Sequence, residues 1–178
     1  MRRIIVGLLL LLVGSGPVLA QDVLNPPSQF RIPCSGCAAY IGASHTGDTN
    51  KTTLATIAIP GGSIGPNGSL KITTMWSFTG TAGTKTPFIN YGGTDFMNTN
   101  VTTAQLSARS EIQIFNKNST SSQVGGANTV AGVGGTSSVS PTSSIDTTVS
   151  QNLTIACQLA NAGDSCTLEA VVVQAVNP

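Results

Sequence analysis

From residue 50 onward, polar and apolar side chains alternate with a period of two, and that pattern limits the chain to sheet. In SLKITTMWSF, Leu70, Ile72, Thr74, Trp76 and Phe78 share one face. Lys71, Thr73 and Ser77 take the other, with Met75 as the exception. In VSQNLTIACQL the inward set is Val149, Gln151, Leu153, Ile155, Cys157 and Leu159, against Ser150, Asn152, Thr154, Ala156 and Gln158. Successive strand residues point to opposite faces, so each segment describes a sheet with one buried and one wet side.

The same reading extends along the chain. TTLATIAIP is a strand with Ala55, Ile57 and Ile59 on one face, stopped by Pro60 and the turn-rich GGSIGPNG. PFINYGG follows the turn TGTAGTKT. Thr102 to Phe115 is the longest strand pattern, with Ala104, Leu106, Ala108, Ser110, Ile112 and Ile114 facing inward. Arg109 and Glu111 then decorate the outer face and are expected to pair across strands. The stretch from Asn116 to Ser144 is rich in Gly and Ser and reads as a long loop, with a short strand at Gln123–Val124. Two strands close the chain, Ile145 to Leu159 and Cys166 to Val176, and no helical pattern appears after the first twenty residues. Strands punctuated by Gly, Asn and Pro turns, without the helices that a parallel sheet requires, predict an all-β, antiparallel β-sandwich.

The N-terminus gives an expected destination. Arg2 and Arg3 precede an apolar run from Ile4 to Val13, a Gly14–Pro17 break and the small residues of Val18-Leu19-Ala20. This is the layout of a secretory signal peptide over residues 1–20, and the run is shorter than the ~20 residues of a membrane span. A secreted or periplasmic protein is expected, without a membrane span once the signal is cut. Removing it takes basic residues from 8 to 6 against 7 acids, so the net charge moves from +1 to −1. Only 8% of the chain is charged, against ~25% in typical domains. With no basic patch, nucleic acid is not an expected partner.

Candidate chemistry is sparse. His45 is the sole histidine, so a Ser-His-Asp hydrolase would need it as base. In the turn SHTGD its plainer reading is a solvated side chain. The acids stand singly, and a glycosidase needs two carboxylates facing one cleft. Asp48 and Asp164 lie in Gly-containing turns, where Asp commonly caps its own backbone. No catalytic residue, cofactor or metal is assigned. Cys34, Cys37, Cys157 and Cys166 are an even set in an exported chain, which favours two disulfides over a zinc or redox site. The expected pairs are Cys34–Cys37 and Cys157–Cys166, the second closing a hairpin with Asn161 and Ala162 at its tip. Trp76 and Phe78 share a face with Leu70 and Ile72 and read as core. Tyr40, Tyr91 and Phe96 are the candidate exposed aromatics for ligand contact. Glycosylation sequons begin at Asn50, Asn67, Asn100, Asn118 and Asn152.

TTLATIAIPGGSIGPNGSLKITTMWSFT, INYGGTDF, IQIFNKNSTSSQVG and IDTTVSQNLTIACQLANAGDSCTLEAVVVQAV resemble a β-sandwich domain of tailed-phage virion proteins, found in tail fibres, head appendages and prophage relatives. The resemblance spans Thr46 to Val176; the signal peptide and the four cysteines stand apart from it. It implies a jelly-roll-like knob, displayed as a trimer, that binds a surface and catalyses nothing. The expected organisation is a signal peptide at 1–20, a lead-in with CxxC at 21–45 and a sandwich domain at 46–178. The expected function is an exported structural or surface-binding protein taking a cell-surface or glycan ligand. The alternatives are a secreted adhesin or carbohydrate-binding module, and a hydrolase using His45. Cys166 to Val176 is apolar on both faces, with Leu168, Ala170, Val172 and Val176 against Val171, Val173 and Ala175. That predicts a closed homo-oligomer with this strand, Val171 included, near the shared surface.

Overall fold

The computed structural model describes residues 29–30, 41–80, 82–126 and 140–177. The leader at residues 1–20, Cys34, Cys37, Tyr40 and the middle of the low-complexity stretch lie outside the described residues. In chain order the strands are β1 (Gln29–Phe30), β2 (Ala43–Thr46), β3 (Thr52–Ile59), β4 (Ser69–Thr79), β5 (Lys85–Tyr91) and β6 (Thr94–Asn98). They continue with β7 (Ser107–Asn116), β8 (Gln123–Gly125), β9 (Thr142–Ser143), β10 (Gln151–Leu159) and β11 (Ser165–Val176). A seven-stranded sheet runs β1-β11-β4-β7-β8-β9, with β2 also on β11, and a four-stranded sheet runs β3-β10-β5-β6. Every pairing is antiparallel. The two sheets close over a common core, so the fold is an antiparallel β-sandwich. The larger sheet takes in β2, which begins upstream of residue 46.

β4 carries the alternation most clearly and sits between β11 and β7. Leu70, Ile72, Thr74, Trp76 and Phe78 are all buried, and Met75 is outside. The one hydroxyl in that row is satisfied: Trp76 Nε1 donates to Thr74 Oγ1 at 2.8 Å. Facing them from the smaller sheet are Ile57, Ile59, Ile89, Leu153 and Ile155.

The period of two breaks in several places. On β6 the register shifts so that Ile89 opposes Met97 while Asn90 opposes Asp95. Phe96 is the extra residue of a bulge, and it turns inward beside Met97. Its ring fills the space where a Cβ on Gly125 would stand, which explains glycine there. On β11 another bulge at Glu169 puts Leu168 on the same face as Val171, Val173 and Ala175. Only Ala170, Val172 and Val176 remain on the outside. Val171 belongs to the core, which corrects its expected place at a shared surface. Ile145 to Ser150 is loop, because Asp146 Oδ1 accepts Thr148 N at 2.9 Å and Thr148 Oγ1 at 2.6 Å and bends the chain before β10 begins. Val149 is exposed there. Thr102–Leu106 is likewise a turn ahead of β7, with Gln105 N donating to Thr102 O at 3.2 Å.

Cys157 and Cys166 are joined, with Cα atoms 6.6 Å apart. Their connection is not the expected hairpin. β10 pairs with β3 and β5, whereas β11 pairs with β4, β2 and β1. Residues 160–164 therefore arch from one sheet to the other, and the disulfide bolts the sheets together through the core. Closing a loop this short restricts the unfolded chain by about 2.5 kcal/mol. Replacing both Cys157 and Cys166 by Ala is expected to lower urea-unfolding stability by about that amount. A loss under about 0.5 kcal/mol would show that the sheets hold without the bond.

Candidate functional site

Polar residues converge at the end of the sandwich where the arch crosses. Register brings the parts together: Ser165 opposes both Thr46 and Thr79, Lys85 opposes Leu159, and Thr52 opposes Cys157. The β2–β3 turn, the β4–β5 loop and the arch thus meet. They are stitched by Gly47 N to Ala162 O at 3.1 Å, Ala160 N to Thr84 O at 2.9 Å and Gln158 Nε2 to Thr49 O at 3.2 Å.

At the centre of this end, Lys85 Nζ lies 3.3 Å from Asp164 Oδ2, with side chains 0% and 1% exposed. Lys85 Nζ also donates to Gly80 O at 2.6 Å and Thr103 O at 3.2 Å. Asp164 accepts Gly83 N at 2.8 Å and Ala82 N at 3.3 Å. Asp164 therefore caps the neighbouring loop across the sandwich and not its own turn, contrary to expectation. Burial by itself would raise its pKa, but the Gly83 and Ala82 amides and the Lys85 ammonium outweigh it and hold the carboxyl below its usual value. Gly80, at φ +80°, lies so close to Asp164 that any side chain there would collide. Lys85 belongs to no motif, although alternation places it on one face with Pro87, Ile89 and Tyr91. A charged residue in an inward register was the available signal.

His45 is on β2, opposite Cys166, and is buried, which corrects the solvated-turn reading. Its Nε2 has no hydrogen-bond partner. Asp48 Oδ1 is 3.7 Å away, too far to hydrogen-bond, and Asp48 behaves as expected in capping Asn50 N at 2.7 Å. The hydroxyls beside His45 are otherwise engaged: Ser44 with Thr167, and Thr46 with Asp164 O. None of them is bonded to the imidazole as a nucleophile to its base would be.

Two of the three expected aromatic contacts, Tyr91 and Phe96, are not on the surface. Tyr91 is 1% exposed and Phe96 2%. Burial pushes the Tyr91 phenol up to about 12. A raised phenol pKa means stability is complete below the unfolded value near 10 and is lost as pH rises towards 12. In a Tyr40→Phe variant, which leaves Tyr91 as the single phenol, a spectrophotometric titration is expected to show ionisation only well above pH 10, together with unfolding. Ionisation near 10 without unfolding would contradict its burial.

The outer faces differ. On the larger sheet, Glu111 receives Lys71 Nζ from β4 at 2.9 Å and Arg109 from its own strand at 2.8 Å. The Lys71 hydrogen bond, then the charges of Lys71 and Arg109, hold the Glu111 carboxyl below its usual range despite some desolvation. On the smaller sheet, Lys51 Nζ reaches both Asp95 oxygens at 3.0 and 2.9 Å and lies 4.0 Å above the Phe88 ring. Rows of Thr56, Thr154 and Asn90 run beside it. Among the described residues no three His, Cys, Asp or Glu side chains come together as a metal-binding group.

No known family profile matches the chain, and no curated protein matches it. Among solved structures it is similar to dimeric latent PorU from Porphyromonas gingivalis, at 8% identity and a TM-score of 0.37. That alignment covers 80% of this chain and 13% of PorU, so the chain spans a small part of that protein's length.

Proposed function

We propose that this chain is an exported structural or surface-binding protein whose sandwich is a displayed, non-catalytic knob of the phage-fibre type, assembled as a closed trimer. The observation that supports self-association is the outer face of the larger sheet. Met75 is 52% exposed and Val172 45%, and Ala170 pairs with Met75 between them. Arg109 lies opposite Met75 on the other side, with Glu111 and Lys71 beyond. An apolar centre ringed by charges of both signs is the composition of an interface, and in a closed ring of three it meets a different patch on the next copy. The earlier candidate, Val171, is unsuitable because a lysine there would disrupt the core; Met75 and Val172 are the positions to alter. Light scattering of the oxidised protein at micromolar concentration tests this. A trimer mass is expected, falling to monomer in Met75→Lys/Val172→Lys with the thermal midpoint retained. A monomer mass for the unaltered protein overturns the assembly.

A second reading, a glycan-binding module, draws on the smaller sheet's outer face. Asn152 and Gln158 are exposed there, beside the Thr56–Thr154–Asn90 row. Uncharged amides and hydroxyls on a flat face suit a polyhydroxylated ligand. A glycan array tests it, with Asn152→Ala/Gln158→Ala as the control expected to lose binding.

A further inference from the structure

We propose that Phe88, Asn90 and Asp95 form the central subsite for a neutral pyranose on the outer face of the smaller sheet, closed in the free protein by the Lys51 side chain. The proposal rests on the glycan-binding reading above and gives that reading its main contacts. Among the described residues Phe88 is the aromatic side chain on this face. It follows from alternation along β5, where the neighbouring Ile89 belongs to the core and Phe88 points the other way. Phe88 is only 8% exposed, yet it is no part of the core between the sheets. Its cover therefore lies on the solvent side, where Lys51 Nζ stands 4.0 Å from the ring centroid.

Register arranges the polar groups beside this ring. Thr56, Thr154, Asn90 and Asp95 oppose one another across all four strands. At about 4.8 Å per strand they make a line of roughly 14 Å, long enough for an oligosaccharide. One row nearer the arch, Phe88 lies between Ala156 and Asn98. Asn90 Nδ2 donates to Asp95 Oδ1 at 2.8 Å, and Asn90 Oδ1 accepts Gly93 N at 3.0 Å. Amide and carboxylate are thus fixed before a ligand arrives. A pyranose offers an apolar C–H face and a rim of hydroxyls. The face suits the negative π surface of Phe88. The rim suits Asp95 as acceptor, the second Nδ2 hydrogen of Asn90 as donor, and the threonine hydroxyls beyond.

Lys51 stands where the sugar would lie. One ammonium meets both Asp95 oxygens, at 3.0 and 2.9 Å, and the Phe88 ring. Its hold is weak, because the Lys51 and Asp95 side chains are 38% and 34% exposed. Ion pairs and cation–π contacts in such wet settings contribute little. The lysine precedes β3 on an unbranched stem and can swing into water, leaving ring and carboxylate to the ligand.

An array of immobilised neutral pyranose oligosaccharides, probed with the oxidised protein, tests the subsite. The unaltered protein is expected to bind at least one member. Lys51→Ala is expected to bind that member about 3–10-fold more tightly, because the competing ammonium is gone. A merely structural ion pair would not give this gain. In the Lys51→Ala background, Phe88→Leu removes the ring but keeps an apolar cover, and is expected to weaken binding about 5–10-fold. Asp95→Asn in the same background is expected to weaken it at least ~10-fold. Thermal midpoints of the variants confirm that each is folded. Binding lost in Asn152→Ala/Gln158→Ala but unchanged in Phe88→Leu and Asp95→Asn overturns the subsite and leaves the glycan reading standing. Binding by neither the unaltered protein nor Lys51→Ala overturns both. Equal affinity with and without the lysine overturns Lys51 as the cover.

Discussion

Lys85→Met is expected to destabilise the protein by about 3–5 kcal/mol, the cost of leaving a buried partner charge uncompensated. For a domain of this size that is a fall of roughly 10–15 °C in thermal midpoint. The loss is not simply the pair's worth. Ion pairs this deep repay little more than their own desolvation, so replacing both members with apolar residues is expected to recover much of the stability. Lys85→Met/Asp164→Leu is the control, with Gly83 and Ala82 amides left to find water. The pH dependence separates charge from packing. In the unaltered protein Asp164 has a folded pKa below its usual value. Its contribution is therefore complete above pH ~4 and is lost as pH falls through the folded pKa. In Lys85→Met the carboxylate is instead a liability while ionised, and protonation relieves it. The gap between the two proteins is expected to narrow below pH ~4 in thermal melts. A gap that stays constant would assign the loss to packing alone.

The sandwich was legible because alternation reports burial directly. Leu70 to Phe78 and Ser110 to Ile114 sit as their pattern requires, and the Arg109–Glu111–Lys71 cluster lies on the wet face. What the pattern could not show were insertions of one residue. The bulge at Phe96 sends an apparently exposed aromatic into the core, and the one at Glu169 makes a single buried face look like two. Strand ends were over-extended wherever a side chain bends the backbone, as Asp146 does before β10. The Cys157–Cys166 pair was readable from spacing, but its setting was not. Hairpin and arch both bring two inward residues together over a short polar connection. Only the competing partners of β10 and β11 distinguish them, and those lie far away in sequence. Lys85 and His45 were missed as buried groups because their partners come from other strands and turns.

Gln123 at the opposite end of the sandwich presents the second large effect. Its amide is fully enclosed and makes four hydrogen bonds. Nε2 donates to Asn116 Oδ1 at 2.9 Å and Ile145 O at 3.0 Å, while Oε1 accepts Ser143 Oγ and Ile145 N, each at 2.8 Å. Asn116 Nδ2 extends the network to Gly65 O and Thr147 Oγ1, and Thr147 Oγ1 donates to Thr120 O. This one side chain thus stands in for the backbone pairing that β8 and β9 lack beyond Ser143. Gln123→Leu keeps the volume and strands both polar groups of Ile145 in a dry site. The expected cost is about 3–4 kcal/mol, larger than one hydrogen bond because several partners lose their complement together. Gln123→Glu separates the two sides of the amide, since it keeps acceptors for Ser143 and Ile145 N but removes both donors and buries a charge. It is expected to be destabilising at neutral pH and to recover partly in acid, where the carboxyl protonates and regains one donor. Hydrogen exchange at the Ile145 amide is the local readout. It is expected to accelerate in Gln123→Leu by more than exchange in the β4–β11 centre, because the loop opens before the sandwich does. Equal acceleration at both places would mean that Gln123 supports the whole fold and not this corner of it.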